Sequence, residues 1–237
     1  MSLRDVLVVI PAYGLPERET AELLRQLEQS GCSVLTRAGI GLIDRVRSEL
    51  ASRALETQHQ RWLWLDADMA ASIGEVARLV ETAERHDLDL LSAVYVTKER
   101  PANPAVVWDA ESPSWPTPRR DAALCGIDGG LYPIRRVGFG MAVTHRRLFE
   151  RIAPTLPEVT IEGCGAGARP YFLPLIVGRH YLGEDYSLCE RARETGSTLW
   201  ADTRIRVGHV GRYVYRWEDI APPAASRNLE MVWQTES

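Results

Sequence analysis

Cysteine is scarce in this 237-residue chain, and the positions of its four cysteines exclude the common stabilising sites. Cys32, Cys125, Cys164 and Cys189 are widely separated, and no two of them form a Cys-x-x-Cys pair. Structural zinc sites and disulfide frameworks need closely spaced or regularly repeated cysteines. We therefore expect reduced thiols and a cytoplasmic location.

An excess of positive charge and a long apolar run are lacking as well. The formal net charge of −4 gives no electrostatic argument for binding nucleic acid or an anionic membrane. No apolar run approaches the ~20 residues of a membrane span, and the first residues lack the layout of a signal peptide. We therefore expect neither nucleic acid as a partner nor a membrane span.

Strand and helix patterns alternate through the first 97 residues. Short apolar runs over 6–10, 32–36, 62–65 and 88–96 predict strands, and apolar residues recur at helical spacing between them, as over 43–57. This alternation predicts an α/β fold with a mostly parallel central sheet covered by helices. The length suits one domain over 1–237.

After residue 97 the pattern becomes irregular, because prolines interrupt the segment as far as Arg120. Residues 136–144 are typical of a strand interrupted by Gly138 and Gly140, and glycines there suggest close approach of a ligand or of another backbone. The remaining predicted elements are strands over 106–108, 131–134 and 197–207 and helices over 145–152 and 183–196.

Two carboxylates follow the most apolar of the predicted strands. Asp66 and Asp68 come directly after residues 62–65, where a buried parallel strand emerges at its carboxyl end. Ser72 and Glu75 then form a capping-box pattern, which predicts a helix start and so a turn between strand and helix. Two hard oxygen donors at this place suit a divalent cation that carries phosphates. A plain solvated loop is the alternative for such a short motif.

The order of these motifs resembles that of the GT-A glycosyltransferases, in particular the family-2-like branch, from about residue 6 to residue 211. The matching places are the end of the first strand, the arginine-bearing second helix, the Asp-x-Asp motif, a glycine-bounded strand, an acidic helix start and a late histidine. The resemblance implies nucleotide-sugar binding by Pro11, Ala12, Tyr13, Arg47, Asp66, Ala67, Gly138, Phe139, Gly140 and Glu184.

The same resemblance implies a metal-dependent, inverting sugar transfer from a UDP- or GDP-linked donor to an acceptor hydroxyl. Asp185 is then the general base, and Asp66, Asp68 and His209 are the metal ligands, with Asp66 shared between the metal and the ribose. An imidazole ligand favours Mn²⁺ over Mg²⁺. A backbone-bonded loop histidine is the alternative for His209. For Asp185 the alternative is a plain carboxylate at a helix N-terminus, where the helix dipole lowers basicity and Glu184 can raise the pKa.

The sequence departs from the family in two places. Residues Thr36 and Arg37 end the second strand where the family has an aspartate near the base, which leaves UDP and GDP open. The segment 97–135 matches no motif; in the family this region helps to choose the acceptor. The resemblance divides the chain into a nucleotide-binding half (1–97), an acceptor and sugar half (98–211) and a C-terminal tail (212–237).

Three further alternatives stay open. A sugar-nucleotidyltransferase shares a related sheet, although the glycine- and lysine-rich loop of such enzymes is missing after the first strand. A non-catalytic nucleotide-sugar or glycan-binding module is possible on the same fold. Trp108 and Trp115 are either a sugar platform or packing residues of the irregular segment, and packing is the commoner case.

Overall fold

Strands and short helices alternate along the chain. The computed structural model describes residues 3–37, 41–98, 102–109, 129–162, 165–211 and 213–219. The strands are β1 (Val6–Pro11), β2 (Ser33–Arg37), β3 (Arg61–Leu65), β4 (Met69–Ala70), β5 (Leu90–Val94), β6 (Val106–Trp108), β7 (Leu131–Val137), β8 (Met141–His145), β9 (Val159–Ile161), β10 (Gly165–Ala168), β11 (Leu175–Val177), β12 (His180–Leu182), β13 (Leu199–Arg206), β14 (Gly208–Val210) and β15 (Val214–Tyr215). The helices are α1 (Arg18–Gln29), α2 (Ile43–Leu55), α3 (Ile73–Arg85), α4 (Arg146–Ile152) and α5 (Glu184–Glu194).

The central sheet has eight strands in the order β2-β1-β3-β8-β5-β13-β7-β6. Strands β1, β2 and β3 pair in parallel, as do β5 and β13, whereas β8 runs antiparallel to both β3 and β5. Strand β7 is antiparallel to β13 and to β6. Only β7 and β8 therefore run against the common direction, which confirms the mostly parallel sheet among the described residues.

Alternate side chains of the central strands feed two separate cores, one on each face of the sheet. Leu7 and Val9 of β1 face a core shared with α2, α4 and α5, whereas Val6 and Val8 face a core shared with α1 and α3. This division follows from the two-residue period of a strand, because successive side chains point to opposite faces. Strand β3 is buried along its whole length, as its unbroken apolar sequence predicted.

The Gly138–Gly140 segment carries the chain across the sheet. Strand β7 ends at Val137 on one side of β13, and β8 begins at Met141 between β3 and β5. The predicted interruption of this strand is thus a crossing between the two strands that run against the common direction of the sheet. Because β8 begins opposite Leu65, the crossing lies at the carboxyl ends of β3 and β5.

The helix after the Asp-x-Asp motif starts at the predicted capping box. Ser72 Oγ accepts a hydrogen bond from the Glu75 N–H, and the Glu75 carboxylate accepts one from the Ser72 N–H at 2.7 Å. This cap fixes where α3 begins and therefore how long the turn after β3 is. No helix of the described ranges is long and apolar enough to cross a membrane.

Candidate active site

A cleft of about 790 Å³ opens at the carboxyl ends of the central strands. This is the edge of an open α/β sheet at which ligands bind. Most of the predicted site residues line it, namely Pro11, Tyr13, Arg47, Asp66, Ala67, Asp68, Gly138, Glu184, Asp185 and His209. Ala12 and Phe139 are buried beside the cleft instead of lining it.

The turn after β3 is held by hydrogen bonds to three successive backbone carbonyls. The Ala67 carbonyl accepts from the Glu17 N–H at 2.7 Å, and the Asp68 carbonyl accepts from the Val210 N–H at 2.7 Å. The Met69 carbonyl accepts from Thr20 Oγ1 at 2.8 Å. Helix α1 and strand β14 thus fix the backbone on which the two aspartates stand.

Arg47 forms an ion-pair group with three carboxylates, which we call the Arg47 cluster (Arg47, Asp66, Glu184, Asp185). Arg47 Nη2 donates to both oxygens of Asp66 at 2.7 and 2.9 Å. Arg47 Nη1 donates to Glu184 Oε1 at 3.0 Å and to Asp185 Oδ1. Arg47 is 2% exposed, and its guanidinium carbon lies 5.9 Å from the ring centroids of Phe139 and Phe172. Arg47 therefore orders the acidic side chains of the cleft.

Burial mainly decides the protonation of Asp185, and the excess of carboxylates over cations in the Arg47 cluster adds to its effect. Burial raises the pKa of Asp185 to about 7; Arg47 opposes this shift, while Glu184 and Asp66 reinforce it. Burial likewise raises the pKa of Asp66 against the attraction of Arg47. The helix N-terminus alone was expected to lower the basicity of Asp185, but desolvation outweighs it. A carboxylate with a pKa near neutrality suits general-base chemistry.

Asp185 is also held in a fixed orientation. It lies in the first turn of α5, which begins after Gly183, and its Oδ2 accepts a hydrogen bond from the Phe139 N–H at 3.1 Å. Leu188, Cys189 and Ala192 of the same helix are fully buried against the sheet. The packed helix and the crossing segment together hold the carboxylate at the cleft.

Asp68, Lys98 and His209 form a second, more exposed group, which we call the Asp68 cluster. Lys98 Nζ lies 2.5 Å from Asp68 Oδ2, and His209 Nε2 lies 3.5 Å from the same oxygen. Burial by itself would raise the pKa of Asp68, but His209 and Lys98 lower it to about 2. Backbone pairing of His209 with Met69, between β14 and β4, keeps the imidazole beside the aspartate.

The imidazole of His209 is oriented as metal-binding imidazoles are. Its Nδ1 lies 2.9 Å from the Val96 carbonyl, and since a carbonyl can only accept, Nδ1 carries the proton. In the neutral ring Nε2 then has a lone pair facing the Asp68 carboxylate, and two facing acceptors favour a cation between them. Two ligands bound to one cation at about 2.1 Å lie about 3–3.5 Å apart, which fits the spacing observed.

Asp66, which was expected to be shared between the metal and the ribose, is turned towards Arg47. Both of its oxygens accept hydrogen bonds from Arg47, and the described ranges contain no group of three or more His, Cys, Asp or Glu side chains arranged to hold a metal. The spacing of Asp68 and His209 fits a divalent cation, and the ligand roles of Asp66, Asp68 and His209 stay predictions.

Gly138 and Gly140 make room for Tyr95 under the cleft. A Cβ at Gly140 would lie 2.7 Å from Cζ of Tyr95, and a Cβ at Gly138 would collide with the tyrosine hydroxyl. The Tyr95 hydroxyl accepts a hydrogen bond from the Gly140 N–H at 3.0 Å. Close approach at these glycines is therefore explained by a side chain of the protein.

Part of the cleft lining is apolar and exposed. Tyr13 is 78% exposed, and Leu15 and Ile43, which also line the cleft, are exposed as well. Trp108 is buried and packs edge-on against Tyr132, outside the cleft lining, so packing is its observed role. Trp115 lies outside the described residues.

Tyr95 and Lys98 were not predicted from the sequence. Tyr95 directly follows β5, and Lys98 comes shortly after it, at the edge where Asp66 and Asp68 stand. The rule that placed the two aspartates in a site also applies to residues after the next strand of the sheet. That rule was the available signal for Tyr95 and Lys98.

Comparison with known proteins finds similarity in the fold but no match in sequence. No protein-family model and no curated protein matches this chain. A197 from STIV superposes with a TM-score of 0.54 at 15% identity, covering 87% of this chain and 85% of that one. GalNAc-T7, solved with UDP, GalNAc and Mn²⁺, superposes with a TM-score of 0.51 at 15% identity, covering 88% of this chain and 44% of that one.

A third solved structure, CMP:2-keto-3-deoxy-manno-octonic acid synthetase complexed with CTP, reaches a TM-score of 0.41 at 15% identity, covering 83% of this chain and 88% of that one. It is too distant to guide an argument. The first two likenesses confirm the predicted GT-A fold. At such low identity they bear on the fold alone, and this chain spans less than half the length of GalNAc-T7.

Proposed function

We propose that this protein, built on a GT-A fold, is a metal-dependent glycosyltransferase that moves a sugar from a UDP- or GDP-linked donor to an acceptor hydroxyl with inversion. One observation carries the proposal: a carboxylate with a pKa near 7 and a facing Asp68–His209 pair line the same cleft. The first suits deprotonation of a hydroxyl, and the second suits a cation that binds a diphosphate.

The charge of the cleft supports a bound cation. Its described lining has five carboxylates, at Glu17, Asp66, Asp68, Glu184 and Asp185, but only two side chains that are permanently cationic, Arg47 and Lys98. Such a lining repels a diphosphate unless a further cation lies between them. GalNAc-T7, which shares the fold, was solved with UDP and Mn²⁺.

Asp68 and His209 would hold Mn²⁺, or Mg²⁺, with Asp66 directed to the ribose as well as to the cation. When bound, the cation neutralises negative charge that develops on the leaving diphosphate. The packed turn after β3 and the β4–β14 pairing keep these ligands in place, so little reorganisation is needed when the donor binds.

Asp185 would act as the general base. It takes the proton from the acceptor hydroxyl, while the acceptor oxygen forms a bond to the anomeric carbon. The bond from that carbon to the diphosphate oxygen breaks, and its electron pair leaves with the nucleoside diphosphate. The Phe139 N–H and Arg47 hold the carboxylate in position without filling its full hydrogen-bonding capacity.

The exposed apolar part of the cleft lining would receive the nucleoside base. Tyr13 is placed there to stack on a base or to hydrogen-bond it, and its exposure leaves a ring face accessible. Pro11 and Ala67 line the adjoining wall.

Release of nucleoside diphosphate from UDP- and GDP-linked sugars, measured with Mn²⁺ and a panel of hydroxyl acceptors, tests the proposal. We expect Asp185→Asn to lower transfer by at least about 100-fold, because the carboxamide cannot accept the proton, with donor affinity nearly unchanged. Glu194→Gln, at the exposed end of the same helix, is the matched control and should keep the wild-type rate.

Two results would replace the proposal. Formation of pyrophosphate from a nucleoside triphosphate and a sugar 1-phosphate would identify a sugar-nucleotidyltransferase. Tight binding of nucleotide-sugar without turnover on any acceptor, and without hydrolysis, would identify a non-catalytic binding module.

A further inference from the structure

Lys98 is the accessible cation of the cleft. Of the two permanently cationic side chains in the described lining, Arg47 is buried and pairs with three carboxylates. The side chain of Lys98 is 34% exposed and, among the residues that the structure describes, contacts a single carboxylate, Asp68. Lys98 can therefore reach a ligand in the cleft, whereas Arg47 cannot do so without leaving its carboxylates.

The stem of Lys98 is held in place while its ammonium group is free to turn. A Cβ at Gly211 would lie 3.1 Å from Cδ of Lys98, so the backbone of the β14–β15 turn packs closely on the stem. The Thr97 N–H donates to the Asn103 carbonyl at 2.8 Å and fixes the backbone before Lys98. Rotation about the last bonds moves the ammonium within the cleft but leaves the stem where it is.

The ammonium and a bound metal compete for the same oxygen. Lys98 Nζ lies 2.5 Å from Asp68 Oδ2, the oxygen that also faces His209. A cation bound to this oxygen at about 2.1 Å would lie within about 4.6 Å of the ammonium. At such a short distance two positive charges repel each other strongly in a partly buried site. Metal binding therefore displaces the ammonium group of Lys98 from Asp68.

We propose that Lys98 exchanges its ammonium between Asp68 in the ligand-free cleft and the diphosphate of the donor once a metal is bound. In the free protein the ammonium neutralises Asp68. With metal and donor bound, Asp68 would bind the metal ion, and the displaced ammonium group would bind phosphate oxygens of the donor. This inference rests on the proposed function and adds a second diphosphate-binding group to it.

Lys98 is the single lysine of the chain, whose other 27 basic residues are arginines. An amine-directed acylating reagent therefore reports on this residue, and mass spectrometry of the peptide that carries it measures the rate. We expect slow labelling in the free protein, faster labelling with Mn²⁺ alone, and slow labelling again with Mn²⁺ and UDP or GDP. A lysine that only pairs with Asp68 would not become protected again by the nucleotide.

Calorimetry on Lys98→Met gives an independent measurement, because methionine keeps an unbranched stem against Gly211. We expect Mn²⁺ alone to bind at least about fivefold more tightly than to the wild type, since the competing charge is gone. With Mn²⁺ saturating, UDP or GDP should bind at least about tenfold more weakly, since a charged hydrogen bond is lost. Arg78→Met, on the exposed face of α3, removes the same charge outside the cleft and should change neither affinity.

The outcomes separate this inference from the proposed function. If wild-type protein binds both Mn²⁺ and a nucleoside diphosphate but Lys98→Met matches it in both titrations, the exchange is wrong and the proposed function stands. If Lys98→Met binds Mn²⁺ more weakly, Lys98 supports the metal instead of competing with it, and the exchange is wrong as well. A wild-type protein that binds neither ligand overturns both.

Discussion

The Arg47 cluster and the Asp68 cluster lie in one cleft, yet they treat charge in opposite ways. Arg47 is buried and divides its hydrogen bonds among three carboxylates, so its cation cannot be exchanged. Lys98 is exposed and contacts one carboxylate of the described ranges, so its cation can be displaced. Burial thus separates a fixed part, which in the proposed function would orient the base, from an exchangeable part, which would receive metal and phosphate. The following predictions test this division, in order of expected size.

Removing the buried cation should have the largest effect. Arg47→Met leaves three carboxylates without their partner, and we expect the free energy of unfolding to fall by about 3–5 kcal/mol. Urea denaturation of Arg47→Met against Arg78→Met measures the difference. Since Arg47→Met could fail to fold, Arg47→Lys, which keeps the charge but not the forked geometry, should show a smaller loss. If all these variants were equally stable, the Arg47 cluster would not contribute to the stability of the fold.

Changing the carboxylate of the Asp68 cluster should leave the fold intact but abolish metal-dependent nucleotide binding. Asp68→Asn should weaken Mn²⁺-dependent binding of UDP or GDP by at least about 100-fold, because a neutral amide is a poor ligand for a hard cation. The melting temperature should stay close to that of the wild type, since the side chain is one-third exposed. Unchanged diphosphate affinity in calorimetry would refute the metal site.

The Arg47 cluster should also make the free energy of unfolding depend on pH. The pKa of Asp185 is raised from 3.8 to about 7 on folding, so its protonated form stabilises the protein at low pH and this contribution is lost as pH rises towards 7. Between pH 5.5 and pH 8 the wild type should therefore lose about 2 kcal/mol relative to Asp185→Asn. Denaturant unfolding curves of the wild type and of Asp185→Asn, recorded at both pH values, measure this change in the free energy of unfolding. A constant difference would mean that Asp185 is ionised throughout.

The smallest effect is expected at His209 of the Asp68 cluster. His209→Ala should weaken Mn²⁺ binding by about tenfold or more, with Asp68 still in place. Because only neutral imidazole binds a metal, Mn²⁺ affinity of the wild type should fall on acidification, and the variant should show a flatter response. A variant with wild-type affinity and pH response would make His209 a backbone-bonded structural residue.

Residues whose place depends on local sequence were predicted well. The apolar run of β3, the capping box of α3 and the helix start at Asp185 are local patterns, and each formed as expected. The position of Asp68 at the sheet edge followed from the first two. Local pattern was therefore enough to place the acidic side chains of the cleft.

Contacts between distant parts of the chain could not be read in the same way. Nothing in the sequence near Arg47 indicates that its guanidinium pairs with Glu184 and Asp185 instead of facing phosphates. The apolar pattern of β8 carries no sign of its antiparallel direction, because burial sets that pattern and strand direction does not. The glycines at 138 and 140 predicted close approach of a ligand or of another backbone, whereas the structure shows the side chain of Tyr95 packed against them.

The closure of the turn after β3 has a consequence for synthesis of the chain on the ribosome. Its carbonyls are bonded by Glu17 and Thr20 on one side and by Val210 on the other, so early and late residues meet at one point. A growing chain that ends before β14 has both aspartates but lacks the strand that brings His209 to them. Contacts of such long sequence separation form late in folding. Metal-dependent nucleotide binding should therefore appear only once nearly all of the described chain has left the exit tunnel.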